Sequence, residues 1–143
     1  MTDAEFQAFL EDISEAFVRP DFALWQSRVR LPLSLVTATG PITITTQEDL
    51  EANFEQYLTA CRILHLTALI RDPIDLEECN DGTVLATYRT HLISGGNRIR
   101  EPYTSTALLH PDAGTWRMSA ILNALGHHHW TKQGPLTSGE YND

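Results

Sequence analysis

The residues best suited to chemistry are a carboxylate and two tyrosines in the strand-rich half of the sequence. Glu101, Tyr88 and Tyr103 fall on one predicted face of neighbouring strands, among mostly apolar residues. Desolvation there raises the pKa of a carboxyl group, so Glu101 can serve as a general base or acid. Tyrosine hydroxyls can hold a carbonyl or enolate oxygen. We therefore predict proton transfer on a small apolar carbonyl or hydroxy compound, with these three as catalytic residues.

Five further residues complete the predicted site. They are expected to contact the ligand from the same face or from the second predicted helix: Trp25, Thr90, Ser105, Trp116 and Met118. A purely structural interpretation stays open beside the catalytic one. In it, Glu101 points to solvent or pairs with Arg98 or Arg100. The tyrosines are then core residues with satisfied hydroxyls.

Three consecutive histidines, beginning at His127, are the most conspicuous metal candidates. In an extended chain His127 and His129 share a side and can bind zinc or copper with a third ligand. They follow Gly126, however, and no Asp, Glu or Cys lies beside them. We therefore predict no metal site. The sequence contains no phosphate-binding glycine loop, nucleophile elbow or H-E-x-x-H motif, so nothing in it supports nucleotide binding or metalloprotease chemistry. We predict no cofactor. His65 and His91 are expected to face outward.

Composition and charge narrow the class of protein. The 143 residues suit one domain, and 42% of them are hydrophobic, which is enough for a core without disulfides or metal. The 10 basic and 19 acidic residues give a formal charge of −9. Such a chain lacks the basic footprint of a nucleic-acid binder and is repelled by an anionic membrane. We therefore expect neither partner.

Targeting signals and cysteine positions indicate a cytoplasmic protein. No apolar stretch reaches the roughly 18 residues of a membrane span, and the acidic first residues are unlike a signal peptide. Cys61 and Cys79 lie at opposite ends of one predicted strand. Because a disulfide needs Cα atoms within about 7 Å, two free thiols are expected.

Hydrophobic periodicity and turn residues divide the chain into elements. Thr2 and Glu5 form a T-x-x-E capping box for a first helix, which Pro20 ends. The remaining elements are a short helix after Asp21, two strands within 31–46, a helix at Thr46–Leu64, and antiparallel strands at 63–79, 83–94, 97–110 and 115–127. We predict a single α+β domain over 1–130 and a flexible tail over 131–143.

The order of these elements resembles the NTF2-like superfamily, with its SnoaL-like and ketosteroid isomerase-like members. The resemblance spans roughly residues 2–126 and rests on the capped first helix, the Thr46–Leu64 helix that leads into a long strand, and the meander ending in Trp116–Ser119. It implies a cone, in which a strongly curved mixed or antiparallel sheet wraps around the helices and encloses a pocket. The superfamily contains both enzymes and binding modules, so the fold leaves the function open.

Three functions therefore stay open. The first is a SnoaL-like isomerase, dehydratase or cyclase that acts through Glu101. The second is a non-catalytic ligand-binding or accessory module, and the third is the small subunit of an oligomeric oxygenase. Ketosteroid isomerase-like members have a tyrosine on the first helix and an aspartate base from the early strands. Here the first helix has phenylalanines and 31–46 has no carboxylate, so no known catalytic set carries over whole.

Strand pairing predicts which side chains face the pocket. A two-residue Gly95-Gly96 turn places Thr90 opposite Glu101 and Tyr88 opposite Tyr103. Carried through the next turn, the same phase predicts two further pairs on the concave face: Leu109 with Trp116, and Ala107 with Met118. On the first long strand it turns Ile70 inward and Arg71 outward. Two prolines qualify this register, because Pro102 predicts a bulge beside Glu101 and Pro73 predicts an edge strand or a kink.

The outer face of the sheet indicates a second copy of the chain. Between its Thr, Arg and His residues it carries large aliphatic side chains: Leu85, Ile93, Leu108, Ile121 and Leu125. A solvated face carries fewer of these, so we predict a homodimer through this face, as the resemblance also implies. The alternative is an amphipathic face that stays partly wet. The predicted partners are thus a second copy and a small apolar organic molecule.

Overall fold

The computed structural model describes residues 1–122, and every structural statement below concerns this part of the chain. The elements are α1 Asp3–Val18, α2 Phe22–Ser27, β1 Val29–Thr37, β2 Gly40–Ile44, α3 Gln47–Ile63, β3 Ala68–Glu78, β4 Val84–Ser94, β5 Asn97–Arg98, β6 Tyr103–Asp112 and β7 Thr115–Leu122. The predicted α+β order is confirmed. The predicted tail and the histidines that begin at His127 lie outside the described residues.

Local signals define both long helices. At the start of α1, Thr2 Oγ1 accepts from the Glu5 amide at 3.0 Å, and Glu5 Oε1 accepts from the Thr2 amide at 2.7 Å, which confirms the capping box. At the start of α3, Thr46 Oγ1 accepts from the Asp49 amide at 3.1 Å. Each helix buries one apolar stripe, which includes Phe6, Phe9, Leu10, Ile13 and Phe17 on α1 and Leu50, Phe54 and Leu58 on α3.

Seven strands form one mixed sheet in this part of the chain. The order is β2-β1-β7-β6-β4-β3, with β5 paired to β4. The β1–β7 pair is parallel and the other pairs are antiparallel. One face packs on the helices and forms the core, and alternate residues along each strand point to the outer face. The sheet is open, with β2 and β3 at its two edges, and this agrees with the predicted cone.

The pairing of β4 with β6 differs from the prediction by two residues. Thr90 lies opposite Tyr103 rather than Glu101, and Tyr88 lies opposite Ser105 rather than Tyr103. Because a shift of two keeps the side-chain alternation, Tyr103 and Ser105 still belong to the concave face. Glu101 does not, since it is exposed and precedes the strand.

Extra residues around Pro102 cause this shift. The turn pairs Ser94 with Asn97 as predicted, and the Ile99 amide still bonds to the Leu92 carbonyl at 3.0 Å. The ladder then stops until β6 begins. Pro102 has no amide hydrogen to donate to a ladder, so the chain bulges here. The predicted bulge is confirmed, but it takes two extra residues and removes Glu101 from the sheet.

A second bulge lies in β7 at Ser119. Leu109 pairs with Met118 and Leu108 pairs with Ala120, so Ser119 has no partner in the ladder. One extra residue reverses the alternation beyond it. The predicted orientation of the end of this strand is therefore wrong, because Ile121 is buried on the concave face. The predicted pairs Leu109–Trp116 and Ala107–Met118 are wrong as well, because the β6–β7 turn is two residues shorter than the sequence predicts.

A third bulge decides the orientation of β3. Pro73 pairs with Tyr88 while Asp75 pairs with Thr87, which leaves Ile74 unpaired beside the proline. In the part of β3 that precedes this bulge, the alternation of inward and outward side chains is the reverse of that in the part after it. Ile70 is consequently 47% exposed on the outer face, and Arg71 turns inward. The predicted orientations of both residues are wrong.

Candidate functional site

A small cavity lies between the concave face of the sheet and the helices. Its volume is about 50 Å³, well below the roughly 300–1,000 Å³ of ordinary ligand pockets. In this conformation it admits a group of a few non-hydrogen atoms. Side chains of both layers line it, among them Phe17 and Trp25 from the helices and Leu35 and Ile121 from the sheet.

Aromatic rings form the helical wall of the cavity. The ring centroids of Phe17 and Trp25 lie 4.9 Å apart in an edge-to-face arrangement, and those of Phe17 and Tyr57 lie 5.9 Å apart. Phe54 packs behind them, with its centroid 4.8 Å from that of Phe17. Such contacts hold each ring in a defined orientation. The wall therefore presents a rigid apolar surface that includes the indole of Trp25.

Polar side chains form the opposite wall on β4 and β6. Tyr88, Thr90, Tyr103 and Ser105 line the cavity, as predicted for the concave face. Burial raises the pKa of Tyr88 to about 12, and the charge of Arg71 opposes this rise only in part. At neutral pH the Tyr88 hydroxyl therefore stays protonated. It can donate a hydrogen bond but cannot act as an anionic base.

Arg71 brings a positive charge into the cavity from β3. Its Nη1 donates to Ser14 Oγ on α1 at 2.9 Å. Its Nε is buried and has no hydrogen-bond partner within residues 1–122. The prediction missed this residue because the bulge at Ile74 reverses the strand. The available signal was Pro73, two residues further along the strand.

Two other buried polar atoms of the cavity also lack partners in the described part of the chain: Trp25 Nε1 and Thr90 Oγ1. Trp25 is 6% exposed and Thr90 is 1% exposed. An indole N–H only donates, as does a guanidinium N–H. No Asp or Glu of residues 1–122 lines the cavity. The site is thus rich in hydrogen-bond donors and poor in negative charge.

The structure brings five predicted site residues together at the cavity: Trp25, Tyr88, Thr90, Tyr103 and Ser105. It places three others elsewhere. Glu101 is exposed in the segment before β6, Met118 is fully buried in the core, and Trp116 packs partly buried against that core. Asn53 and Tyr57 of α3 also line the cavity. Helical spacing could have identified Tyr57, because it lies on the same face as Phe54.

Other sequence predictions concern thiols, metals and membranes. Cys61 and Cys79 are free, as predicted. Within residues 1–122 no group of three or more His, Cys, Asp or Glu side chains is placed to hold a metal ion. None of the described helices has both the length and the apolar character to cross a membrane.

Solved structures share this architecture at low sequence identity. Aln2 from a Streptomyces species has a TM-score of 0.64 and 19% identity over 83% of this chain and 86% of that one. ActVI-ORFA from Streptomyces coelicolor has a TM-score of 0.63 and 15% identity over 83% and 90%. An NTF-2 like protein of unknown function from Shewanella oneidensis has a TM-score of 0.58 and 14% identity over 85% and 98%.

The chain has an NTF2-like fold. No family model matches its sequence. A comparison with curated proteins found no match either. Structural likeness at such low identity establishes the NTF2-like fold alone, so any function has to be argued from the cavity.

Proposed function

We propose that this NTF2-like protein binds a small, mostly apolar organic molecule in the cavity between sheet and helices. The supporting observation is the pairing of a rigid aromatic wall with an opposing wall of hydroxyl groups. The aromatic side offers apolar contact, and the hydroxyls orient a polar group of the ligand. The small volume means that a larger ligand has to displace side chains at the mouth.

Binding without chemistry is the first form of this proposal. Neither a carboxylate nor a histidine of residues 1–122 lines the cavity, and Tyr88 is held neutral. Proton transfer on a carbonyl or hydroxy compound is the second form. Tyr88 supports it, because a protonated hydroxyl in a dry site can stabilise a developing enolate oxygen. Glu101, the base predicted from the sequence, is exposed and does not line the cavity, so this form requires the segment before β6 to bring Glu101 within reach of the ligand.

Native mass spectrometry and a crystallographic fragment soak test the binding proposal. We expect small aromatic or aliphatic fragments in the cavity, and weaker occupancy in Ile121→Trp, which fills it. Ile63→Trp is the matched control, since Ile63 is exposed at the end of α3. Fragments that bind equally well to wild type and Ile121→Trp, or that bind nowhere, would refute the proposal.

The catalytic form needs a substrate found in that way. Turnover should then fall by at least about tenfold in Tyr88→Phe, which removes the donor without emptying the site. Glu101→Gln should lose turnover as well, whereas Glu51→Gln on the exposed surface of α3 should not. Unchanged turnover in Tyr88→Phe and Glu101→Gln would leave only the binding form.

We also propose that a second copy covers the outer face of the sheet. Support comes from Ile70 and Leu122, which are 47% and 48% exposed, and from Leu85 and Leu108, which pair across β4 and β6. Sedimentation velocity should show a dimer that Leu108→Lys dissociates. Ile63→Lys, on an exposed helix end, should leave it intact. A monomer at micromolar concentration would refute this proposal.

A further inference from the structure

Arg71 has no carboxylate partner, unlike two other half-buried arginines of the described chain. Arg28 lies 2.8 Å from Asp12, and Arg117 lies 2.8 Å from Asp112. Arg71 is partly buried, yet within residues 1–122 it pairs with no Asp or Glu, and its contact is the neutral hydroxyl of Ser14. Withdrawing a cation from water costs free energy unless an anion or several hydrogen bonds compensate. The cavity therefore lacks a negative group beside Arg71.

The protein does not supply that negative charge by ionising the Tyr88 hydroxyl or the Cys61 thiol. Burial raises the pKa of Tyr88 to about 12 and that of the Cys61 thiol to about 11, although the Arg71 charge lowers both. Both groups stay protonated at neutral pH. The compensating charge is consequently expected from a ligand.

Thr90 and Trp25 add two more hydrogen-bond donors to the cavity beside Arg71. Arg71 and Thr90 are direct partners in the β3–β4 ladder, so their side chains leave the sheet side by side. Thr90 Oγ1, Arg71 Nε and Trp25 Nε1 are all buried without a partner in the described residues. A buried donor that makes no hydrogen bond costs about 1–3 kcal/mol of stability. An acceptor with two oxygens would satisfy more than one of them together.

We infer that the cavity binds a small monocarboxylate, with its head group at Arg71 and Thr90 and its apolar body against Phe17 and Trp25. A planar carboxylate matches the planar guanidinium, and a single cation balances a single charge. The narrow volume favours a short chain. This inference rests on the proposed binding function and adds to it the chemical class of the ligand.

Isosteric pairs of probes test the charge without changing the shape. Formate, acetate and butyrate are titrated against formamide, acetamide and butyramide, with amide NMR shifts of cavity residues as the signal. Each carboxylate should bind at least about tenfold more tightly than its amide, the size of a hydrogen bond to a charged group. Arg71→Met should abolish this preference. Arg62→Met, on the exposed surface of α3, should preserve it.

The carboxylate inference can still be tested if Arg71→Met fails to fold. Thr90→Val removes a neutral hydroxyl and should weaken the carboxylates several-fold with little effect on the amides, and the wild-type comparison needs no variant. Equal binding of acids and amides in the cavity would overturn the carboxylate inference while leaving the binding function intact. Shifts confined to residues outside the cavity would also overturn it. Failure of the fragment soak as well would remove the binding function too.

Discussion

The two faces of the same sheet treat their polar side chains differently. On the outer face, Thr87 and Thr106 hydroxyls bond across β4 and β6 at 3.0 Å. His110 Nδ1 accepts from Arg30 Nη1 at 2.9 Å, so its Nε2 carries the proton and donates to Ser119 Oγ at 2.6 Å. On the concave face, by contrast, Arg71 Nε and Thr90 Oγ1 are buried without a hydrogen-bond partner within residues 1–122, whereas the buried Arg117 Nε of the outer face still lies 2.8 Å from the Asp112 carboxylate.

The polar groups of the outer face thus bond to one another, whereas those of the concave face leave hydrogen bonds that a ligand could make. Polar groups that satisfy one another stabilise the fold and need no ligand. Buried groups that stay unsatisfied cost stability, and folds retain such groups mainly where binding or chemistry uses them. This difference is the reason for proposing ligand binding on the concave face and a second copy on the outer face.

The largest expected difference between the faces is in core packing. Leu109→Ala should lower the free energy of unfolding by about 2–5 kcal/mol, because Leu109 is fully buried on the concave face. Its neighbour Leu108 faces outward, so Leu108→Ala should cost less than about 1 kcal/mol. Urea denaturation measures both. Equal losses at low protein concentration would contradict the assignment of faces, and a Leu108 loss that grows with concentration would support the dimer.

Alkaline pH should reveal the burial of Tyr88. The folded-state pKa of about 12 lies above the value of 10.0 in the unfolded chain. The folded state therefore holds its proton longer, and stability falls as pH rises from 10 towards 12, by about 2 kcal/mol. Tyr88→Phe should flatten this part of the stability profile, measured by urea denaturation at each pH. An unchanged slope would show that Tyr88 is hydrated.

Arg71 should lower the stability of the protein in the absence of a ligand. Arg71→Met replaces an uncompensated cation with an apolar chain of similar length, so the free energy of unfolding should rise by about 1 kcal/mol. Arg89→Met on the exposed outer face should change it by less than about 0.5 kcal/mol. Thermal and urea unfolding without added carboxylate measure both variants. A clear loss of stability in Arg71→Met would mean that the charge is compensated within the protein.

The smallest expected effect concerns His110 on the outer face. Burial, followed by the charge of Arg30, lowers the pKa of His110 below its ordinary value of 6.5. The unfolded chain then takes up a proton first, so stability falls as pH drops below about 6.5, and solvent screening keeps this loss the smallest of the four effects. His110→Gln should remove this part of the acid slope in pH-dependent urea denaturation. A steeper slope in the variant would contradict the sign.

Predictions from sequence succeeded where the cause is local. The capping residues Thr2 and Thr46 determine where helices begin, and the Gly95-Gly96 turn determines the Ser94–Asn97 pair. Four concave-face residues of β4 and β6 were placed correctly because alternation persists along a strand: Tyr88, Thr90, Tyr103 and Ser105. The fold order followed from the same signals.

The failures that affect the site follow from bulges. A bulge of one residue turned Arg71 inward on β3, another turned Ile121 inward on β7, and two extra residues carried Glu101 out of the sheet. Two of the three bulges lie beside a proline, so the sequence indicated a disturbance there. The number of inserted residues had no such signal, and for the bulge at Ser119 there was none at all.

Sequence alone therefore determined the helices, the Gly95-Gly96 turn, the acidic character and the hydroxyl-bearing concave face, since these depend on composition and on neighbours along the chain. Tertiary structure decided which charged side chain enters the cavity. The sheet has to curve around three helices, and bulges are the means by which strands bend. Their size depends on that packing and not on adjacent residues. A shift of one position exchanged Ile70 for Arg71, and with it an apolar pocket for one that carries a positive charge.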